Sequence, residues 1–317
     1  MLKKITLLIF VTLILVGFYI RNKYFDRSLS YAELADYAYE TVVLENGMQV
    51  NYRIDGNPKG RTLLLIHGGF DSLDGWEDWI PMLAQEFRIV SVDMPGHGLT
   101  DPLPDRNYTR YGMAAFIQQF VTALELQDFV IIGHSMGGEY SLQYAIENPE
   151  RIVGIVIVAA GGYVDDVATV ETEQQLLALA NSPIAPLFYT YGTRESTNAS
   201  FAEYLAIDPD EQPDFFERIY RLSRYEKHRD TALKLVSSMY ANPHNLRGLD
   251  TISVPTLIMW GDQDTIALPE HAQRFHNDIN NSTLLMYEGV AHGLQLETGE
   301  TGAQDVVEFL KHNDLHR

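Results

Sequence analysis

The chain of 317 residues contains no cysteine. That excludes disulfides, thiolate metal sites, a cysteine nucleophile and a lipid-modified cysteine. Basic residues are scarce: 23 Lys and Arg stand against 43 Asp and Glu, for a net charge of −20. The first 30 residues hold Lys3, Lys4, Arg21, Lys23 and Arg27 against Asp26 and carry +4, so the remainder carries −24. Such a surface repels phosphate backbones, and nucleic acid is not an expected partner. Low-complexity tracts and internal repeats are lacking as well. What is left is an ordinary globular mixture, 46% hydrophobic and 21% charged, long enough for one large α/β core.

The N-terminus carries a long apolar run without charge. Residues 5–20, ITLLIFVTLILVGFYI, follow MLKK and precede RNKYFDR. As a helix this run spans ~24 Å, slightly short of a ~30 Å hydrocarbon core, and Leu2 and the lysine stems extend it by snorkelling. It reads as a transmembrane anchor over residues 1–24. A signal peptide is the weaker reading, because the bulky, basic Phe18-Tyr19-Ile20-Arg21 offers no small-residue cleavage site. The expected placement is a single-pass N-terminal membrane anchor with the folded part outside the cytoplasm; cleavage would instead give a secreted chain. Residues 25–40 lead in, and residues 41–317 form the domain.

Residues 41–56, TVVLENGMQVNYRIDG, predict a hairpin with a type I′ turn at Asn46-Gly47. Apolar strand runs and helix-like stretches then alternate. Strands are expected at 62–68, 88–98, 128–135 and 151–161, and helices at 75–87, 108–126 and 136–149. Uniformly apolar strands between helices imply a parallel sheet covered on both faces. Such sheets bind ligands beyond the carboxyl ends of their strands. The rhythm stops over residues 162–250 and resumes with a strand at 254–264, a helix at PEHAQRFHNDI, a strand at 282–292 and a last helix at TGAQDVVEFLKH. The middle segment therefore reads as a helical insertion over the carboxyl edge of the sheet.

Chemistry concentrates at strand ends. Ser135 sits in GHSMGG, between a strand and a helix. Glycines 133 and 137 let a sharply turned chain pass closely, and the helix N-terminus behind the serine favours developing negative charge. A serine needs a base, and among ten histidines His292 directly follows the last predicted strand. His67, His97 and His134 read as structural, and no metal-binding pattern stands out. The base needs an acid. Asp264 ends WGDQD, with Asp262 as runner-up and Asp165 and Asp166 as more remote candidates.

The motifs HGGF (67–70), DMPGHG (93–98), GHSMGG (133–138), WGDQD (260–264) and GVAHG (289–293) together resemble the α/β-hydrolase superfamily, over about residues 41–312. The resemblance implies a mostly parallel α/β-hydrolase sheet with helices on both faces and a helical lid at about 162–250. It implies catalysis by Ser135, Asp264 and His292 without a cofactor. It also implies an oxyanion hole from the backbone N–H of Met136 and of Gly69, with Phe70 as the alternative to Gly69. A serine at this turn disfavours the dehalogenases and epoxide hydrolases of the superfamily, which use aspartate. GHSMGG is similar to the turn of esterases, monoacylglycerol-lipase-like enzymes and carbon–carbon bond hydrolases. The expected partner is a small-molecule ester of modest size. A dienone-type acid cleaved at a carbon–carbon bond is the enzymatic alternative, and a small-molecule-binding member without turnover is the other. Aromatic residues at 163, 188, 189, 191, 201, 204, 215, 216, 220, 225 and 240 are expected either to pack the insertion or to line an apolar pocket. Arginines 194, 218, 221, 224 and 229 are the candidates for a substrate carboxylate.

Overall fold

The computed structural model describes residues 28–163, 194–205, 207–228 and 245–316, with isolated positions between residues 164 and 244. Eight strands form one sheet in the order β1-β2-β4-β3-β5-β6-β7-β8. They are β1 (Glu40–Val43), β2 (Gln49–Gly56), β3 (Thr62–Ile66), β4 (Arg88–Val92), β5 (Phe129–His134), β6 (Ile152–Val158), β7 (Thr256–Gly261) and β8 (Ser282–Tyr287). β2 runs antiparallel to β1 and β4, and every pairing from β4 to β8 is parallel. The α-helices whose full range is described are α1 (Ile80–Leu83), α2 (Arg110–Ala123), α3 (Met136–Glu147), α4 (Arg194–Leu205), α5 (Pro213–Leu222), α6 (Pro269–Asp278), α7 (Leu294–Thr298) and α8 (Glu300–His312).

The pleat explains why the central strands read as unbroken apolar runs. Leu64 and Ile66 of β3, Phe129 and Ile131 of β5, and Ile258 and Trp260 of β7 enter one core with Phe116, Phe120, Leu142 and Phe275. The intervening Leu63, Leu65, Val130, Ile132, Leu257 and Met259 enter a second core with Trp76, Trp79, Val306 and Leu310. Successive strand side chains point to opposite faces, so a strand covered on both sides has no polar face to show. β8 is the edge, and none of its residues is fully buried.

Two local expectations change. The hairpin forms, but its turn is not type I′. That turn needs positive φ at both central residues. Here Gly47 takes φ +83° while Asn46 does not enter the left-handed region, and Gly47 N–H donates to the Leu44 carbonyl at 2.9 Å. The Asn46 side chain instead accepts from Met48 N–H at 3.0 Å. The helix expected over 75–87 breaks into a 3-10 turn at Leu73–Trp76 and the single turn α1. Pro81 lacks a donor and opens the second piece at its first turn.

The membrane placement is corrected. Among the described residues no helix is long and apolar enough to cross a membrane. The longest, α2, has 14 residues, about 21 Å against the ~30 Å required. The expected anchor, residues 1–24, lies outside the described residues. The membrane-anchored, extracytoplasmic or secreted localisation is withdrawn with it.

Candidate active site

β5 delivers Ser135 to the carboxyl edge of the sheet, and α3 begins immediately after it. Ser135 has φ +50° and ψ −119°, a conformation that L residues avoid and that persists only where surroundings over-determine it. They do so here. Ser135 N–H donates to the Val158 carbonyl at 2.9 Å. Its carbonyl accepts from Gly138, Gly161 and Glu139 at 2.9, 3.0 and 3.2 Å. The flanking glycines are required by crowding. A Cβ on Gly133 would lie 2.4 Å from the Gly137 carbonyl oxygen, and one on Gly137 would lie 2.4 Å from both the Ile66 and His67 carbonyl oxygens. The α3 backbone therefore passes directly against the end of β3.

The other two residues arrive on loops after β7 and β8. His292 Nε2 is 3.0 Å from Ser135 Oγ, and His292 Nδ1 is 2.8 Å from Asp264 Oδ2. All three are buried. Asp264 Oδ1 accepts the backbone N–H of Ile266 at 2.8 Å and of Ala267 at 2.9 Å. With one oxygen fixed by two amides, the other is aimed at the imidazole. Asp262, the runner-up, is turned elsewhere: its Oδ1 accepts Gly289 N–H at 2.8 Å and holds the β8 turn. Asp165 and Asp166 lie outside the described residues.

The HGGF turn lies beside the serine. A Cβ on Gly68 would stand 3.4 Å from Ser135 Cβ, and one on Gly69 would stand 3.8 Å from Met136 Sδ. Phe70 takes φ +62° and points its ring toward His97 and Phe201, each at 6.3 Å between centroids. Gly69 lines the cavity above Ser135, whereas Phe70 is not among its lining residues. The turn is tied down by His67, whose Nε2 accepts Met94 N–H at 3.0 Å and whose Nδ1–H donates to the Gly68 carbonyl at 2.7 Å. Burial holds the His67 pKa down to about 4. Asp93 of DMPGHG performs a similar task, accepting from Leu73 N–H, Leu99 N–H and Asn51 Nδ2 at 2.8, 2.8 and 2.7 Å.

The cavity above Ser135 is narrow, with a volume of about 10 Å³. Its polar wall comprises Gly68, Gly69, Asp71, His134, Ser135 and Gln295, and its apolar wall Phe201, Leu205, Phe215, Ile219 and Leu296. Burial pushes the Asp71 carboxyl up to about 6, against the pull of the Arg218 guanidinium. Asp71 and Gln295 were missed in the sequence. Asp71 carried only the weak signal of following HGGF, and Gln295 lies on α7, a helix too short to show a period.

The aromatic residues of the 162–250 segment divide by position. Phe201 and Phe215 line the cavity. Phe216 packs among Leu205, Ile207 and Ile219, and Tyr225 packs with Leu34, Leu99 and Leu222. Tyr163 packs on Phe275 at 4.4 Å. Positions 188, 189, 191 and 240 and the side chain at 204 lie outside what is described. The described arginines face other partners: Arg194 pairs with Glu217 at 2.8 Å, and Arg218 with Glu77 at 3.1 Å. Arg221 donates to the Glu33 carbonyl, and Arg224 lies 5.1 Å from the Tyr220 ring centre. Arg229 lies outside the described residues. Among the described residues no group of three or more His, Cys, Asp or Glu is placed to hold a metal ion.

A family model described as alpha/beta hydrolase fold matches residues 61–298. A 2-hydroxy-6-oxononadienedioate/2-hydroxy-6-oxononatrienedioate hydrolase of Pseudomonas putida is 28% identical over 84% of this chain and 93% of its own length. A monoacylglycerol lipase of Bos taurus is also 28% identical, over 83% of this chain and 79% of its own length. Among solved structures, the enol-lactonase of Burkholderia xenovorans is similar in fold, with a TM-score of 0.71 at 19% identity over 86% of this chain and all of that one.

Proposed function

The chain belongs to the alpha/beta hydrolase fold family, and from that premise we propose a serine hydrolase that cleaves a carboxylic ester of modest size through an acyl-enzyme. One observation carries the reading: Ser135 Oγ, both ring nitrogens of His292 and Asp264 Oδ2 stand in one hydrogen-bonded line, with steps of 3.0 and 2.8 Å. In this reading Ser135 Oγ attacks the ester carbonyl as its proton passes to His292 Nε2. Asp264 holds the Nδ1–H tautomer and stabilises the imidazolium. The oxyanion faces the first free N–H of α3, Met136, and the N–H of Gly69; each donor in such a pair is worth ~10²–10³ in rate. His292 then gives its proton to the departing alcohol. A water, deprotonated by the same imidazole, attacks the acyl carbonyl and releases the acid and Ser135.

Helices α4 and α5 serve as part of a lid in this proposal, since Phe201, Leu205, Phe215 and Ile219 close the cavity above Ser135. The curated relatives include both a lipase and a carbon–carbon bond hydrolase. Asp71 favours the ester. A dienone-type acid brings a carboxylate into a cavity whose described wall holds a carboxyl group and none of the four described arginines. Labelling with a fluorophosphonate tests the hydrolase reading against binding without turnover. The expected result is one label on the intact chain and none on Ser135→Ala. An unlabelled parent, or equal labelling of both, overturns it.

A further inference from the structure

Gln295 lines the cavity with Ser135, and the orientation of its amide is dictated by a backbone carbonyl that reaches it through His134. The His292 carbonyl can only accept, and it lies 2.9 Å from His134 Nε2. His134 Nε2 therefore bears the proton, and its Nδ1 is left as an acceptor. Burial keeps this imidazole neutral, with a pKa lowered to about 3. The group 3.3 Å from Nδ1 is the Gln295 amide nitrogen, as the tautomer demands. The amide has no freedom to flip, so Gln295 Oε1 is turned away from His134. Gln295 is 2% exposed, and Oε1 has no hydrogen-bond partner among the described residues. The residue lines the same cavity as Ser135 and Gly69. A buried acceptor without a donor is costly to leave so.

We propose that Gln295 Oε1 is a substrate-recognition acceptor, and that the site takes esters carrying a hydroxyl group close to the scissile ester, on its acyl or its alcohol side. This rests on the serine-hydrolase reading and names its substrate class more closely. Asp71 supports it from the same wall, since one of its oxygens takes Ser72 N–H at 2.7 Å and the carboxyl adds a second acceptor. A buried acceptor without a partner on the polar wall of the cavity selects a donor. A site built to pair with a hydroxyl discriminates strongly against the analogue that lacks it, because the acceptor is then left unpaired. Gln295 also donates to His134, which holds the His292 backbone, so a substitution acts on every substrate through that route. A ratio between matched substrates removes this common effect.

The experiment uses the full chain and two near-isosteric ester pairs. One is 2-hydroxyethyl butanoate against propyl butanoate, with the hydroxyl on the alcohol side. The other is propyl glycolate against propyl propanoate, with the hydroxyl on the acyl side. The quantity read is the kcat/KM ratio, hydroxylated over plain, in the parent and in Gln295→Met. In at least one pair the ratio falls about tenfold on substitution. Ratios unchanged within twofold in both pairs, or a parent that labels with fluorophosphonate yet cleaves none of the four esters, overturn this inference alone. A parent that does not label overturns the hydrolase reading and this one with it. If Gln295→Met does not fold, Gln295→Asn, which withdraws the same carbonyl by one methylene, is held to the same criterion.

Discussion

The floor and the roof of the cavity are built on different principles. The floor is backbone. Ser135, Asp264 and His292 stand on turns at the ends of β5, β7 and β8, and their positions are set by main-chain bonds and by glycines that no other residue can replace. Gly133 and Gly137 illustrate this with their 2.4 Å approaches to carbonyl oxygens. The roof is side chain. Phe201, Leu205, Phe215 and Ile219 meet the cavity from α4 and α5, whose inward residues form a small apolar cluster of their own. A floor made of crowded backbone has one solution, since a shift of one atom breaks several bonds. A roof of packed hydrocarbon tolerates exchange of comparable volumes. On the proposed reading, chemistry is thus placed on the part of the molecule fixed by backbone, and fit on the part made of exchangeable side chains.

The sharpest way to separate the two is Asp264→Asn. Asp264 Oδ1 is occupied by two backbone amides, so the asparagine oxygen stays with them and its NH₂ faces His292. The imidazole must then accept at Nδ1 and carry its proton on Nε2, where it cannot take the serine proton. On the proposed mechanism kcat falls by about 10⁴, with the melting temperature little changed; ester hydrolysis and thermal denaturation together check this. Gly137→Ala is the next largest. A methyl group at 2.4 Å from two carbonyl oxygens forces α3 off the sheet, at about 3 kcal/mol of stability, read from urea denaturation. A stable Gly137→Ala chain would show that the floor is as adaptable as the roof. The smallest effect is expected above. Phe215→Ala opens the apolar wall and lowers kcat/KM about tenfold for the best-fitting acyl chain while leaving short esters within about twofold. A p-nitrophenyl ester series by chain length measures it. Equal losses for all chain lengths would mean that Phe215 supports the floor.

The central sheet was readable because its strands are buried on both faces, and that condition writes itself as Leu63-Leu64-Leu65-Ile66 or Phe129-Val130-Ile131-Ile132 without alternation. The Gly133-His134-Ser135-Met136-Gly137 turn was readable because its sterics leave few residue choices. The hairpin was readable, but its turn type was not: the Asn46-Gly47 pair fits two turn geometries, and the bond from Gly47 to Leu44 decides between them. The long helix expected at 75–87 failed because periodicity weighs Trp76, Trp79, Ile80 and Leu83 alike. Pro81 and the packing of both tryptophans into the second core split it into two turns. The apolar N-terminal run lies outside the described residues, and no described helix is long and apolar enough to cross a membrane.

Sequence by itself determined the order of strands and helices, the burial of the central sheet on both faces, the acidic surface and the glycines of the serine turn. Each follows from interactions between near neighbours or from composition. Only the tertiary structure decided which loop carboxylate faces His292, since Asp262 and Asp264 differ by two residues but bond to different turns. It alone decided which aromatic residues line the cavity and which pack away from it. It alone fixed the Gln295 amide, through a carbonyl on His292 and a tautomer on His134. Those three outcomes depend on groups brought together from distant segments, 161 residues apart in the case of His134 and Gln295. No local pattern in the chain encodes the geometry of such a meeting.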